Sequence, residues 1–362
     1  MKALCIGGAT VDAIATIESD SIERMSMLNA ETSFLLLEEG RKTEAHDIST
    51  HCGGGAVNAA VALSRLGLDA SAIAKLGRDA RADFILSRLT AEGVSTRWII
   101  RDATAPTGAS MIISSHERNA AVFTFRGANA HLESADLARE AFDVDLVYIS
   151  SLSGKSADCF PQAVRMARTA GALIAVNATI RQLAVHPDAF LANLAAIDIL
   201  ALNRREAEAL LPRLTNSAAS SPMPRITAGD QAPPLLTRGL QSGTFEMSLP
   251  TFFAALRARG TRHIMLTDGS NGAFVCSDAD MIYCPAEPTD VASTAGAGDA
   301  MGATFSAFIT LGYPADVALK AATINAANVV AFIDTQSGLL GRHALEQRLG
   351  ASSGQKLRRW KM

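Results

Sequence analysis

Ser293-Thr294-Ala295-Gly296-Ala297-Gly298-Asp299, running on into Ala300-Met301-Gly302-Ala303-Thr304-Phe305-Ser306-Ala307-Phe308, is the stretch on which the fold turns. Its second half has a helical pattern. Its first half is a turn whose glycines let the backbone approach something closely. The N–H groups at such a helix start point outward with the positive end of the dipole and suit an anion, most often phosphate. Asp299 falls in the first helical turn, where an acid is otherwise routine. Two features exceed a simple cap. Glycines at 296, 298 and 302 are more than a cap needs, and each costs up to about 1 kcal/mol within a helix. An aspartate among anion-directed N–H groups repels a bound phosphate, unless its task is to take a proton from an attacking hydroxyl. The combination suits phosphoryl transfer to an alcohol, which needs a base, an anion hole and a nearby metal.

Outward from that stretch, short apolar runs alternate with helical patterns. Strands are expected at residues 3–6, 70–75, 146–149, 173–177, 199–202, 263–267 and 272–276, with helices between most of them. Such alternation predicts an α/β fold with a mostly parallel sheet and helices on both faces. A second glycine cluster, Gly53-Gly54-Gly55, opens an Ala/Leu/Val helix over residues 56–66 that Gly67 ends. Two hairpins interrupt the alternation. One is read at residues 34–38 and 42–49 around Glu39-Gly40-Arg41, the other at 107–114 and 120–125 around residues 115–119. They form a small β appendage from two separated segments. Residues 213–250 hold five prolines with little periodicity and read as a long surface insertion. The basic tail, residues 351–362, reads as a solvated end.

Composition excludes several classes. The 362 residues carry 33 Lys+Arg against 36 Asp+Glu, a net charge of −3. That balance argues against nucleic-acid binding, which needs a basic surface to displace counterions. Apolar runs are strand-length, far short of the roughly 20 residues that cross a bilayer. Glycines and Asp12 interrupt the N-terminus too early for a signal-peptide core. No membrane partner and a cytoplasmic location are the expectation. The five cysteines are scattered, without a C-x-x-C pair, and read as reduced thiols.

Other residues are ambiguous alone. Asn58 lies in a first helical turn, where it has poor propensity. Asp12 suits a turn or an acceptor for hydroxyl groups. Gly154-Lys155-Ser156 is no P-loop, because Ile149 stands where glycine is required. Gly296-x-Gly298-x-x-x-Gly302 misses the dinucleotide fingerprint by one position.

Taken together, these motifs resemble the ribokinase-like (PfkB) family of sugar and nucleoside kinases. Its C-terminal signature, Asp-Thr-x-Gly-Ala-Gly-Asp, stands here as residues 293–299, and its N-terminal Gly-Gly signature as residues 53–58 through Leu66-Gly67. The resemblance implies a three-layer α/β/α core, over residues 1–12, 52–102 and 127–350, and a β-sheet lid, over residues 13–51 and 103–126. In some members two such lids pair into a homodimer. It implies that Asp299 is the base, and that Gly296, Ala297 and Gly298 form the anion hole. Asp12, Gly54, Gly55 and Asn58 would line the acceptor pocket. Asn203 and Glu206 match the Asn-x-x-Glu motif, Glu206 toward magnesium. Thr267, Gly269 and Gly272 match the turn beside the nucleotide, and Asn325 falls where a late helix flanks adenine. Asn177 and Arg126-Gly127-Ala128-Asn129 lean toward a furanose-type sugar.

The implied activity is ATP- and Mg2+-dependent phosphorylation of a small sugar, with a nucleoside kinase as the alternative. A nicotinamide-dependent oxidoreductase and a sugar-binding protein without chemistry are rivals from other classes. One departure has a consequence. Ser293 replaces the aspartate that ligates a monovalent cation in potassium-activated members, and a hydroxyl is the weaker ligand. Turnover should be the same in potassium and sodium salts; a clear gain with potassium contradicts this reading.

Overall fold

The computed structural model describes residues 1–17, 23–26, 33–36, 40, 42–115, 120–185, 187–214, 232–351 and 357–362. A nine-stranded sheet runs Arg358–Lys361, Asp280–Cys284, Ala273–Ser277, His263–Thr267, Ile199–Asn203, Leu173–Asn177, Leu146–Ile149, Lys2–Ile6 and Asp69–Ile73. The last six are parallel to one another, and the first three add an antiparallel edge.

Helices cover both faces, so the central strands are apolar along their length rather than alternating. The side-chain period of two still divides the faces. Ala3 and Cys5 pack into one layer and Leu4 and Ile6 into the other. Small residues recur on the first face: Ala70, Ala72, Ala175 and Ala201. Larger ones recur on the second: Val147, Ile149, Ile174, Val176, Leu200 and Leu202. The small-residue face lets the Ala- and Gly-rich helices Gly55–Arg65 and Ala297–Thr310 lie close to the sheet and to each other. Both begin at a glycine turn, and both turns come to one end of the sheet.

A second sheet of four strands runs Ala120–Phe125, Gly108–Ser115, Thr10–Ile17 and Asp47–Gly53. The hairpin expected over residues 107–125 is present, with its turn at residues 116–119 outside the described residues. The strand expected at residues 42–49 is corrected: its place is taken by Asp47–Gly53, paired with Thr10–Ile17. Residues 33–36 belong to a separate ribbon, Glu23–Ser26 with Ser33–Leu36, and the expected turn at 39–41 lies mostly outside the described residues. Gly7-Gly8 ends the first core strand, and the chain passes directly into the second sheet.

Two further expectations change. Within the insertion, residues 215–231 lie outside the described residues, but Pro234–Arg238 is helical and Leu240–Ser242 pairs with Phe245–Met247. The basic tail is no solvated end. Arg358–Lys361 is the edge strand of the main sheet, held where Arg359 reaches Asp280 and Asp316 and where Lys361 reaches Asp280 at 2.6 Å. Trp360 packs on the apolar core, an anchor that charge counting overlooks.

His263 is buried at the start of its strand, opposite Ser277, whose hydroxyl lies 2.9 Å from its Nδ1. Burial, then the charge of Arg262, lowers its pKa from 6.5 to about 4. The unfolded chain therefore takes up this proton first on acidification. The contribution of His263 is intact above pH 6.5 and is lost as pH falls from 6.5 toward about 4. Urea midpoints measured across that window should fall less steeply for His263→Asn than for the natural protein; parallel curves would contradict the assignment.

Candidate active site

The site forms where two glycine turns meet. Gly54 has φ 93°, and a Cβ there would lie 2.5 Å from the Gly8 carbonyl and 2.6 Å from the Ala9 Cα. Only glycine permits that approach. The Ala56 N–H donates to the Gly8 carbonyl at 3.1 Å, fastening the helix start to the Gly7-Gly8 turn. A Cβ on Gly53 would overlap the Asp12 carboxylate at 1.9 Å, and one on Gly55 would lie 3.3 Å from Asp299 Oδ1. One short turn thus separates two acids, Asp12 on the second sheet and Asp299 on the core helix.

Asp12 is buried, and burial raises its pKa against the opposing hydroxyls of Ser110 and Thr10. Its Oδ1 has no hydrogen-bond partner among the described residues. A buried carboxylate oxygen without a donor is costly and suits a ligand hydroxyl.

Asp299 sits in the first turn of helix Ala297–Thr310, whose N-cap is Gly296 at φ 77°. Thr335 lies against Gly296, so that a Cβ there would come within 2.7 Å of it. Burial raises the pKa of Asp299, and the Asn58 side chain, donating from Nδ2 to Oδ2 at 2.9 Å, opposes the rise. The carboxylate is thereby oriented, with Oδ1 toward Gly55. The third glycine, Gly302, has a packing role: a Cβ would reach 2.5 Å from the buried Tyr148 hydroxyl.

Asn203 and Glu206 form a reciprocal cap. Asn203 Oδ1 accepts from the Glu206 N–H at 3.0 Å, and Glu206 Oε2 accepts from the Asn203 N–H at 2.8 Å. This cap fixes Glu206 at the carboxyl end of a central strand, where open α/β sheets bind ligands. Glu206 is buried, and burial with the added charge of Asp299 outweighs the Asn203 bonds and pushes its pKa up to about 7. A cavity of about 220 Å³ brings Asn177, Asn203, Glu206, Thr267, Gly298 and Asp299 together. Among the described residues no Lys or Arg lines it. Two acids there, both held above their usual range, suit an anion that arrives with a cation.

Gly269 (φ 57°) and Gly272 (φ 92°) shape the turn after Thr267; a Cβ on Gly272 would meet the Cys284 carbonyl at 2.4 Å. Asn325 does not line this cavity. It is fully buried, donating to the Thr304 hydroxyl at 2.8 Å and accepting from the Leu340 N–H at 2.9 Å. Its neighbours Ile324 and Asn328 instead line a second cavity of about 330 Å³, with Glu287, Thr289 and Arg348. A helix places adjacent residues about 100° apart, so a reading off by one residue exchanges lining for core. Ser293 serves its own turn, its hydroxyl accepting from the Ala295 N–H at 3.2 Å. The sequence reading passed over Thr335 and Gln336, which both donate to Asn58 Oδ1. They stand in a polar loop with no motif to mark them.

The chain belongs to the pfkB family of carbohydrate kinases, whose family model matches residues 20–239 and 251–340. It is 28% identical to mouse (Mus musculus) ribokinase over 268 residues, 73% of each chain. In fold it is similar to a provisionally assigned ribokinase II of E. coli in complex with ATP and Mg2+, at a TM-score of 0.74, 19% identity and coverage of 97% and 99%. It is also similar to the Burkholderia thailandensis nucleoside kinase in complex with inosine, at a TM-score of 0.73, 19% identity and coverage of 98% and 99%.

Gly302→Ala should cost about 1–3 kcal/mol by overpacking against Tyr148. Adding Tyr148→Phe, which removes the opposing hydroxyl, should restore most of it. Thermal unfolding of the single and double variants decides; an equal loss in both contradicts the contact.

Proposed function

We propose that the protein transfers the γ-phosphoryl group of ATP to a hydroxyl of a small sugar. The observation that carries this is the Asp299 carboxylate at a glycine-opened helix start, one oxygen held by Asn58 and the other facing Gly55. The acceptor hydroxyl lies beside Gly54 and Gly55 and gives its proton to Asp299 as its oxygen attacks phosphorus in line. A second hydroxyl bonds the unpartnered oxygen of Asp12. The Gly296, Ala297 and Gly298 N–H groups and the helix dipole stabilise charge on the phosphoryl oxygens.

The residues fit Mg2+ held chiefly by phosphates and water. Among the described residues no cluster of three His, Cys, Asp or Glu forms a protein cage, yet Glu206 lines the cavity with Asp299, two carboxylates with hard oxygen donors. When bound, the ion neutralises phosphate charge. The second cavity, bordered by Ile324 and Asn328, is the place for the adenine, and Thr267, Gly269 and Gly272 border the path between. The second sheet acts as a lid that excludes competing water. Its exposed Ile48, Met111, Val122 and Phe123 suit a homodimer through paired lids.

A nucleoside acceptor is the second reading, favoured by Phe123 and Phe125, which stand 59% and 50% exposed on the lid and offer rings for a base. ADP release from ATP and magnesium, followed across pentoses, hexoses, sugar phosphates and nucleosides, separates the two. At least one acceptor should stimulate release, and Asp299→Ala should lower the stimulated rate by more than about 100-fold. Release that no acceptor stimulates, or a fully active variant, overturns the proposal.

A further inference from the structure

A chain of hydrogen bonds, buried at its centre, reaches Asp299 from the helix Ala80–Ala91. Arg88 Nε donates to Gln336 Oε1 at 3.0 Å, Gln336 Nε2 donates to Asn58 Oδ1 at 3.1 Å, and Asn58 Nδ2 donates to Asp299 Oδ2 at 2.9 Å. Gln336 and Asn58 are almost wholly buried, at 2% and 4% exposure. Two carboxamides in series have an orientation problem. Either amide could turn by 180°, exchanging its oxygen for its NH2 with little change in shape. If Asn58 turned, an oxygen lone pair would face the Asp299 carboxylate.

The two ends of the chain remove that freedom. A guanidinium has donors and no acceptor. Arg88 therefore accepts only the oxygen of Gln336, which obliges Gln336 to present its NH2 to Asn58. Asn58 must then turn its oxygen to Gln336 and its NH2 to Asp299. Arg88 is itself anchored: it reaches Glu92 at 2.9 Å, and Glu92 is gripped by Arg65 through Nε at 2.8 Å and Nη2 at 2.7 Å. Arg65 also donates to the Gln336 and Leu339 carbonyls, at 2.9 and 2.7 Å, and so holds the backbone on which Gln336 stands. The Thr335 hydroxyl adds a second donor to Asn58 Oδ1 at 2.8 Å.

We infer that Gln336, directed by Arg88, is a positioning residue that fixes the polarity of the Asn58 amide and thereby aims the Asp299 carboxylate. The inference rests on the kinase reading for the role of Asp299, but the order of donors and acceptors stands apart from it.

Polarity and shape make opposite predictions for two substitutions. Gln336→Glu keeps the shape and pairs with Arg88, but it sets an oxygen against Asn58 Oδ1 and drives that amide to turn. Gln336→Met removes the donor without imposing the wrong one, and the ionised Asp299 carboxylate, which only accepts, still draws the Asn58 NH2. If Gln336 only fills space and ties down its loop, Gln336→Glu is the milder change. If it sets polarity, Gln336→Glu is the harsher: kcat falls at least about tenfold, as for one lost charge-assisted hydrogen bond, KM for ATP holds, and Gln336→Met falls less. Equal or reversed losses overturn the inference.

An activity-independent readout accompanies this. With selective 15N-asparagine labelling, the Asn58 side-chain signals, identified by their absence in Asn58→Asp, should move in Gln336→Glu. Unmoved signals overturn the inference even if the enzyme slows. If no acceptor yields ADP with the natural protein, the kinase reading fails, and the Asn58 signals still decide the polarity. Should Gln336→Glu not fold, Arg88→Met releases the same constraint from a partly exposed position, with the same signals moving and a smaller loss of kcat.

Discussion

The site is organised around one carboxylate, Asp299, at the open start of a helix. Asp299 stands in the first turn of a helix whose open N–H groups and dipole favour negative charge, which also welcome the carboxylate itself. Burial works the other way and raises its pKa. Against it works the Asn58 amide, which donates to Oδ2, stabilises the charged form and leaves the other oxygen toward Gly55. On the proposed kinase reading, a carboxylate held in this way would take a proton from a neighbouring hydroxyl while staying out of the path of the phosphate.

The architecture exists to make that juxtaposition. Asn58 and Asp299 are 241 residues apart in sequence, on two helices that meet over the small-residue face of the sheet. Alanines on that face let both helices approach, and glycines at both helix starts let the turns touch. Gly302 continues the same economy of space against Tyr148. The opposite face, built from Val, Ile and Leu, gives the sheet its bulk and contributes the Asn203–Glu206 cap at its carboxyl end.

The sequence revealed the site unevenly, for physical reasons. Gly54 and Gly296 were legible because positive φ and close backbone approach admit few residue types, and Asp299 because an acid beside that glycine turn is out of place next to an anion. Strand–helix alternation announced the core for the same kind of reason: period two and period 3.6 leave different marks. The strand Thr10–Ile17 of the second sheet was not read as a strand, although residues 13–17 were assigned to that appendage, because it follows the Gly7-Gly8 turn with no change of composition. The tail was misjudged because Trp360 and three ion pairs hold it, and only the fold brings Asp280 and Asp316 to it. Asn325 was read as flanking a nucleotide, while its side chain is bonded into the core and Ile324 and Asn328 line the cavity beside it. Gln336 was invisible, since a hydrogen-bond polarity that begins at Arg88 has no signature in one dimension.

The central claim is that phosphorus passes from ATP to a carbon-bound hydroxyl. Phosphorus-31 NMR of a reaction containing the protein, ATP, magnesium and the best acceptor of the panel observes that bond directly. A phosphomonoester signal should grow in step with ADP and be absent with Asp299→Ala. Growth of inorganic phosphate alone, or ADP without any new ester, would contradict the account.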